Sequence, residues 1–198
     1  MNKKVVFIGL IIAFPIALIV LFQFFSEGRY DIPLLYQKGV RADTLVDTTC
    51  IERSAEQYHV TNSLLPEKTH RIVHFERYDG PVLKTRLEEL ERVQDAHSME
   101  KNVQILSFVN GSTMTAKEVR DYGQRILFYE PFWKINELDS ASWSKLKFCD
   151  LVMSQLDNRI VLIDSKDRIR GYYNIMERDE TDRLIAELGI LLTNKELQ

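Results

Sequence analysis

Residues Val5 to Phe25 read VVFIGLIIAFPIALIVLFQFF, a run without one charged side chain. At about 1.5 Å rise per residue, a single helix of this length crosses the roughly 30 Å hydrocarbon layer of a bilayer. Lys3 and Lys4 precede it, and Ser26, Glu27, Gly28, Arg29, Tyr30 and Asp31 follow with mixed charge. The positive-inside rule therefore places residues 1–4 in the cytoplasm and the rest of the chain outside it. A cleaved signal peptide is the rival reading. The run exceeds the usual apolar core of such peptides, roughly 7 to 15 residues, and no A-x-A-like site follows it, so an uncleaved anchor is expected. Pro15 is compatible with this, because freed backbone groups in a membrane helix are satisfied by local adjustment.

What remains suits one domain with a hydrophobic core of its own. Residues 26–68 are the least patterned and are expected to form a stalk followed by an N-terminal extension wrapped on the domain, with the domain proper over 69–198. Setting aside Lys3 and Lys4 takes the net charge from −3 to −5. With no basic stripe, that argues against a sequence-independent grip on nucleic acid. The two cysteines, Cys50 and Cys149, could form one bridge in an oxidising compartment if their Cα atoms come within about 7 Å. The alternative is a free Cys149 buried as a core residue.

The pattern sharpens at Arg71. RIVHF is a short β-rich run closed by the turn-prone Tyr78-Asp79-Gly80-Pro81. Leu83, Leu87, Leu90 and Val93 then recur at helical spacing, with Glu88, Glu89 and Glu91 on the presumed solvent face. Val103–Val109 is nearly continuous and apolar, as a strand buried on both faces should be. Strand, helix and strand in this order predict a parallel crossover. Thr115 with Glu118 forms a capping box for a helix to about Leu127. FYEPFWKINEL is mixed and aromatic, and Trp143, Leu146, Cys149 and Met153 fall on one face of an expected helix. RIVLID, Ser165-Lys166-Asp167 and RIRGYY read as a hairpin. A final helix has Asp179, Glu180 and Asp182 in its first turn and Leu184, Ile185, Leu188, Leu191 and Leu192 on its apolar face. The expected fold is α/β: a four-stranded, thioredoxin-like mixed sheet flanked by helices, preceded by one transmembrane helix.

On LIDSKDRIRGYYNIMERDETDRLIAELGILL, with Gly171-Tyr172-Tyr173, and on LEELERVQ followed by VQILSFV, the chain resembles the Sco/SenC family. These are membrane-anchored, thioredoxin-like copper chaperones that assist assembly of the CuA centre of cytochrome c oxidase. The resemblance covers about Arg71 to Leu192 and implies a soft copper site of two cysteines spaced CxxxC and one histidine. Here the sequence departs from the family. The cysteine slots fall near Asp79 and Leu83, and the histidine slot near Leu156 or Asp157; the turn from Glu76 to Thr85 has no cysteine, and no histidine follows His97.

Other residues offer little in exchange. His70 and His74 stand about 13 Å apart if they lie on a strand, too far to share an ion. His59 and His97 are isolated, and Met99, Met114, Met153 and Met176 are scattered. Asn110-Gly111-Ser112 matches a glycosylation sequon but equally suits a turn. The expectation is a non-enzymatic, extracytoplasmic protein, periplasmic if bacterial. It keeps the scaffold and anchor of the family, without a resident cofactor, and acts as a binding or assembly factor linked to respiratory oxidase biogenesis. Its partners would be the bilayer, through the N-terminal helix, and a membrane or periplasmic protein. The alternatives are a thiol- or copper-active carrier using Cys50 and Cys149, with copper only at such a relocated site, or an exported ligand-binding domain.

Overall fold

The structure is a computed structural model that describes residues 13–18, 20, 32–40, 50, 53–54, 56–67, 69–79, 81–123, 126, 128–129, 131–153 and 159–193. It divides into two units, Met1–Asp31 and Ile32–Gln198. In the first, residues 13–18 and 20 are helical, and the remainder of the 5–25 span lies outside the described residues. Among the described residues no helix is long and apolar enough to cross a membrane.

The second unit is built on a five-stranded sheet. Two short strands of the extension, β1 (Gly39–Val40) and β2 (Arg53–Ser54), pair antiparallel with each other. The main sheet comprises β3 (His70–Glu76), β4 (Val103–Asn110), β5 (Trp133–Leu138), β6 (Arg159–Ile163) and β7 (Ile169–Asn174), in the order β5-β4-β3-β6-β7. β3 lies at the centre, parallel to β4 and antiparallel to β6, and every one of its residues is buried. The parallel β3–β4 pairing is the crossover expected from the sequence, with α1 (Pro81–His97) between the strands.

Alternation along β3 splits the interior into two cores. Ile72 faces one, with Leu83, Leu87, Leu90 and Val93 of α1 and Leu184, Leu188 and Leu191 of α4 (Arg178–Thr193). Val73 and Phe75 face the other, with Leu146, Leu151 and Met153, and with Val40, Tyr58, Val60 and Leu65 from the extension. The extension is thus a layer of the domain. Its backbone is tied to the β6–β7 hairpin, Leu35 N–H donating to Ile169 O at 3.1 Å and Val60 N–H to Asp167 O at 2.7 Å.

Three expectations are corrected. The sheet has five strands, because KINEL, with Trp133 ahead of it, forms β5 alongside β4; its outward positions are polar, which hid the period. The helix capped by Thr115, α2 (Ala116–Tyr122), stops at Gly123, well short of Leu127. The expected helix around Cys149 is a short α3 (Ser140–Ser144), capped by Asp139, that widens into a π-helical turn over Lys145–Asp150. Met153 lies beyond it but is still fully buried.

Candidate functional site

Where β3 ends and α1 begins, the chain builds a compact lattice of charge. Glu76, the last residue of β3, is buried at 1% exposure. Arg86, one turn after Leu83 on the buried side of α1, is also 1% exposed. Its Nη1 donates to Asp79 Oδ2 at 2.5 Å and its Nη2 to Arg77 O at 2.7 Å, while its Nε lies 3.5 Å from Glu76 Oε2. Arg77 Nε adds a second bond to Asp79 Oδ2 at 3.2 Å, and His74 Nδ1 lies 3.0 Å from Glu76 Oε1. Burial pushes the Asp79 carboxyl up. The hydrogen bonds and positive charge of Arg86 and Arg77 outweigh that and hold it below the ordinary carboxylate value.

Above the lattice stand two aromatic rings. Tyr78 is 65% exposed and meets Tyr122 of α2 edge to face, ring centroids 5.7 Å apart. The end of the domain thus presents Tyr78, Tyr122 and the half-exposed Arg77, while buried Arg86 holds the Arg77 carbonyl.

The residues singled out in the sequence have different fates. Asp79 belongs to the lattice. Leu83 is fully buried in the core and touches no solvent. Leu156 and Asp157 lie outside the described residues. His70 and His74 are both on β3 and both buried, but His74 faces Glu76 whereas His70 lies among Arg71, Asp164 and Arg170, so they share no site. His97 Nε2 lies 3.0 Å from Ile185 O, and exposed His59 Nδ1 lies 2.7 Å from Lys166 O. Asn110 Oδ1 accepts from Ser112 N–H and Ser140 Oγ–H, which uses the sequon as a turn. Glu88 and Glu89 pair with Lys84 and Arg92 on the outside of α1. Cys50 and Cys149 are joined by a disulfide, Cα atoms 5.2 Å apart, and both are partly exposed; Cys149 is no free core thiol.

A soft copper ion does not fit the β3–α1 turn. Its side chains supply hard carboxylate oxygens already bound to two guanidinium groups. Among the described residues no three His, Cys, Asp or Glu side chains gather as a metal site.

Sequence reading missed Arg86, although its signal was available. It occupies the helical position three after Leu83, so its charge interrupts an apolar stripe and calls for a buried partner. A second buried lattice at the other end of β3 was also missed. Arg71 Nη2 donates to Asp164 O at 2.6 Å and its Nη1 to Pro66 O at 3.0 Å, with Asp167 Oδ1 at 2.6 Å. Asp164 Oδ1 accepts from Lys166 N–H and Arg168 N–H. Its Oδ2 accepts from Arg168 Nε at 2.8 Å and Arg170 Nη1 at 3.4 Å, and Arg170 Nη2 reaches Ile32 O at 2.7 Å.

His70 sits beside this lattice, and its pKa is lowered from the ordinary 6.5. Burial is the main cause; Asp164 opposes it, and Arg71 and Arg170 reinforce it. Below pH 6.5 the unfolded chain takes up a proton that the folded chain resists. The contribution of His70 is therefore complete above that pH and is lost as pH falls from it through the lowered folded value. Denaturation midpoints measured between pH 7 and pH 5 should decline, and His70→Gln should flatten the decline. An unchanged slope in the variant would assign it to other groups.

This arrangement defines a class: a helix-flanked mixed sheet with an extension layered on one face and a closed, charge-filled turn at the end of its central strand. The sequence matches no family model and no curated protein. Solved structures similar in fold include a proposed protein disulfide isomerase from Bacteroides thetaiotaomicron, with a TM-score of 0.52 and 12% identity over 66% of this chain and 77% of that one. A proposed electron transfer protein from Aquifex aeolicus gives 0.51 and 12% over 65% and 83%. A SCO1/SenC family lipoprotein from Bacillus anthracis gives 0.49 and 14% over 64% and 83%. At these identities the likeness is one of fold alone, and the two structures above 0.5 carry it: the fold is thioredoxin-like.

Proposed function

We propose that the chain is a Sco/SenC-like, extracytoplasmic thioredoxin-fold protein, held to a membrane by residues 5–25. In this reading it uses its former reaction centre as a non-catalytic binding face. The observation that carries the proposal is the Arg86–Glu76–Asp79 lattice. At the turn where the resemblance calls for a dithiol, the chain has placed a buried ion network that has no nucleophile and cannot cycle between redox states. Such a network stiffens the turn, and the exposed Tyr78, Tyr122 and Arg77 above it are the residue types that dominate protein–protein contacts. A role in respiratory oxidase assembly rests on family analogy, with a membrane or periplasmic protein as partner and no resident cofactor.

The Cys50–Cys149 pairing favours a second reading, in which the two thiols, once reduced, carry copper or electrons themselves. Competition of the reduced full-length protein for Cu(I) against a chromogenic chelator separates the two. We expect the chelator to keep the metal. Stoichiometric capture that disappears in Cys50→Ser or Cys149→Ser would establish the second reading and overturn the first.

A further inference from the structure

The π-helical turn Lys145–Asp150 runs directly into a strained residue. Val152 is β-branched, 7% exposed and held at φ 53°, in the left-handed region that such side chains avoid. Unusual helical turns and strained backbone both concentrate where a segment has a task. Cys149 lies inside this turn, bonded to Cys50 of the extension. Further ties converge on the next two residues. Tyr58 Oη donates to Asp150 O at 2.9 Å, Asn62 Nδ2 to Asp150 Oδ2 at 2.7 Å, and Tyr172 Oη to Leu151 O at 2.8 Å. The first two come from the extension and the third from β7.

The turn also reaches towards the charge lattice. Buried Lys147 stands over three rings: Trp143 at 4.9 Å, Phe148 at 5.6 Å and Phe75 at 5.8 Å. Phe75 also meets Trp143 edge to face at 5.3 Å. Phe75 is the neighbour of Glu76 in β3, so one side of that strand end rests on the turn and the other on Arg86.

We propose that the Cys50–Cys149 bond is a releasable latch, opened by a dithiol protein of the thioredoxin type, and that its reduction lets the 145–153 segment relax. One thiolate of the donor attacks a sulfur of the pair and forms a mixed disulfide, freeing the other cysteine as a thiolate that takes a proton. The donor's second thiolate then displaces the remaining cysteine. The donor ends as a disulfide, and two electrons and two protons rest on Cys50 and Cys149. Both cysteines are partly exposed, which places the bond at the surface of the domain rather than in its core. Val152 is held in the left-handed region while the latch is closed, and in the proposed opening it leaves that conformation. The latch does not depend on what binds at the β3–α1 turn.

The test uses the oxidised full-length chain, with dithiothreitol as the dithiol and hydrogen exchange as the readout. After reduction, both thiols should react with a maleimide in native buffer. Amide protection over Trp143–Met153 should fall about tenfold while β4 and β6 keep theirs, as a local opening requires. Cys50→Ser with Cys149→Ser should show the reduced pattern without any dithiol. Val152→Gly, which suits the left-handed conformation, should make the bond about tenfold harder to reduce. Thiols that appear only in denaturant, protection lost from β4 and β6 together with the turn, or a Val152→Gly protein reduced as easily as the parent would each overturn the latch.

Discussion

Replacing Arg86 with methionine is expected to destabilise the domain by about 3–5 kcal/mol, the usual cost of removing one partner from a buried ion pair. The fold then keeps Glu76 with no exposed surface and Asp79 with little, and neither has its principal cation. The effect should show as a lower urea midpoint with an unchanged denaturant slope, because the exposed area on unfolding is the same. Glu76→Gln in the Arg86→Met background should recover part of the loss, since the charge left stranded is then gone. The pH dependence follows from Asp79. Its carboxyl is held below the ordinary 3.8, so its contribution is present above that pH and is lost as pH falls through the lowered value. Arg86→Met should shrink that acid-limb contribution to the part that Arg77 supplies. A variant within about 1 kcal/mol of the parent would mean that the lattice behaves as an exposed pair, and the stiff turn would have to be given up.

Asp164→Ala is expected to be about as costly, again about 3–5 kcal/mol, and more informative about where the loss falls. The Asp164 side chain caps the β6–β7 turn through two backbone N–H groups and neutralises Arg168 and Arg170. Without it Arg170, which holds Ile32 O, remains buried with excess positive charge, beside an Arg71 that holds Pro66 O and keeps Asp167. Limited proteolysis should therefore cut first within 32–66, ahead of the sheet. Asp164→Asn keeps an acceptor for the turn and should cost less than the alanine variant. Equal losses would show that the charge, rather than the turn, dominates.

Much of the fold was legible because its core elements obey one period each. Leu83, Leu87, Leu90 and Val93 announce a helix with one buried face, VQILSFV a doubly covered strand, and Thr115 with Glu118 a helix start; each is where the sequence puts it. β5 was missed because Lys134, Asn136 and Glu137 break the apolar run. The π-helical turn was missed because a widened helix has no compositional mark of its own. At the candidate site, the absence of cysteine from Glu76 to Thr85 was visible in the sequence. The ion lattice there was not, since Glu76 and Arg86 are ten positions apart and read separately as a polar residue ending a strand and a charge on a helix.

The sequence by itself determined the strands and helices with one clear period, the apolar segment at residues 5–25, and the residue types absent from the turn, because these depend on local composition and periodicity. Only the tertiary structure decided which charges are buried against one another, that Cys50 meets Cys149 across 99 positions, and that the extension enters the core through Val40, Tyr58, Val60 and Leu65. Those are long-range pairings. Their energies depend on distance and burial, which no local pattern of residues encodes.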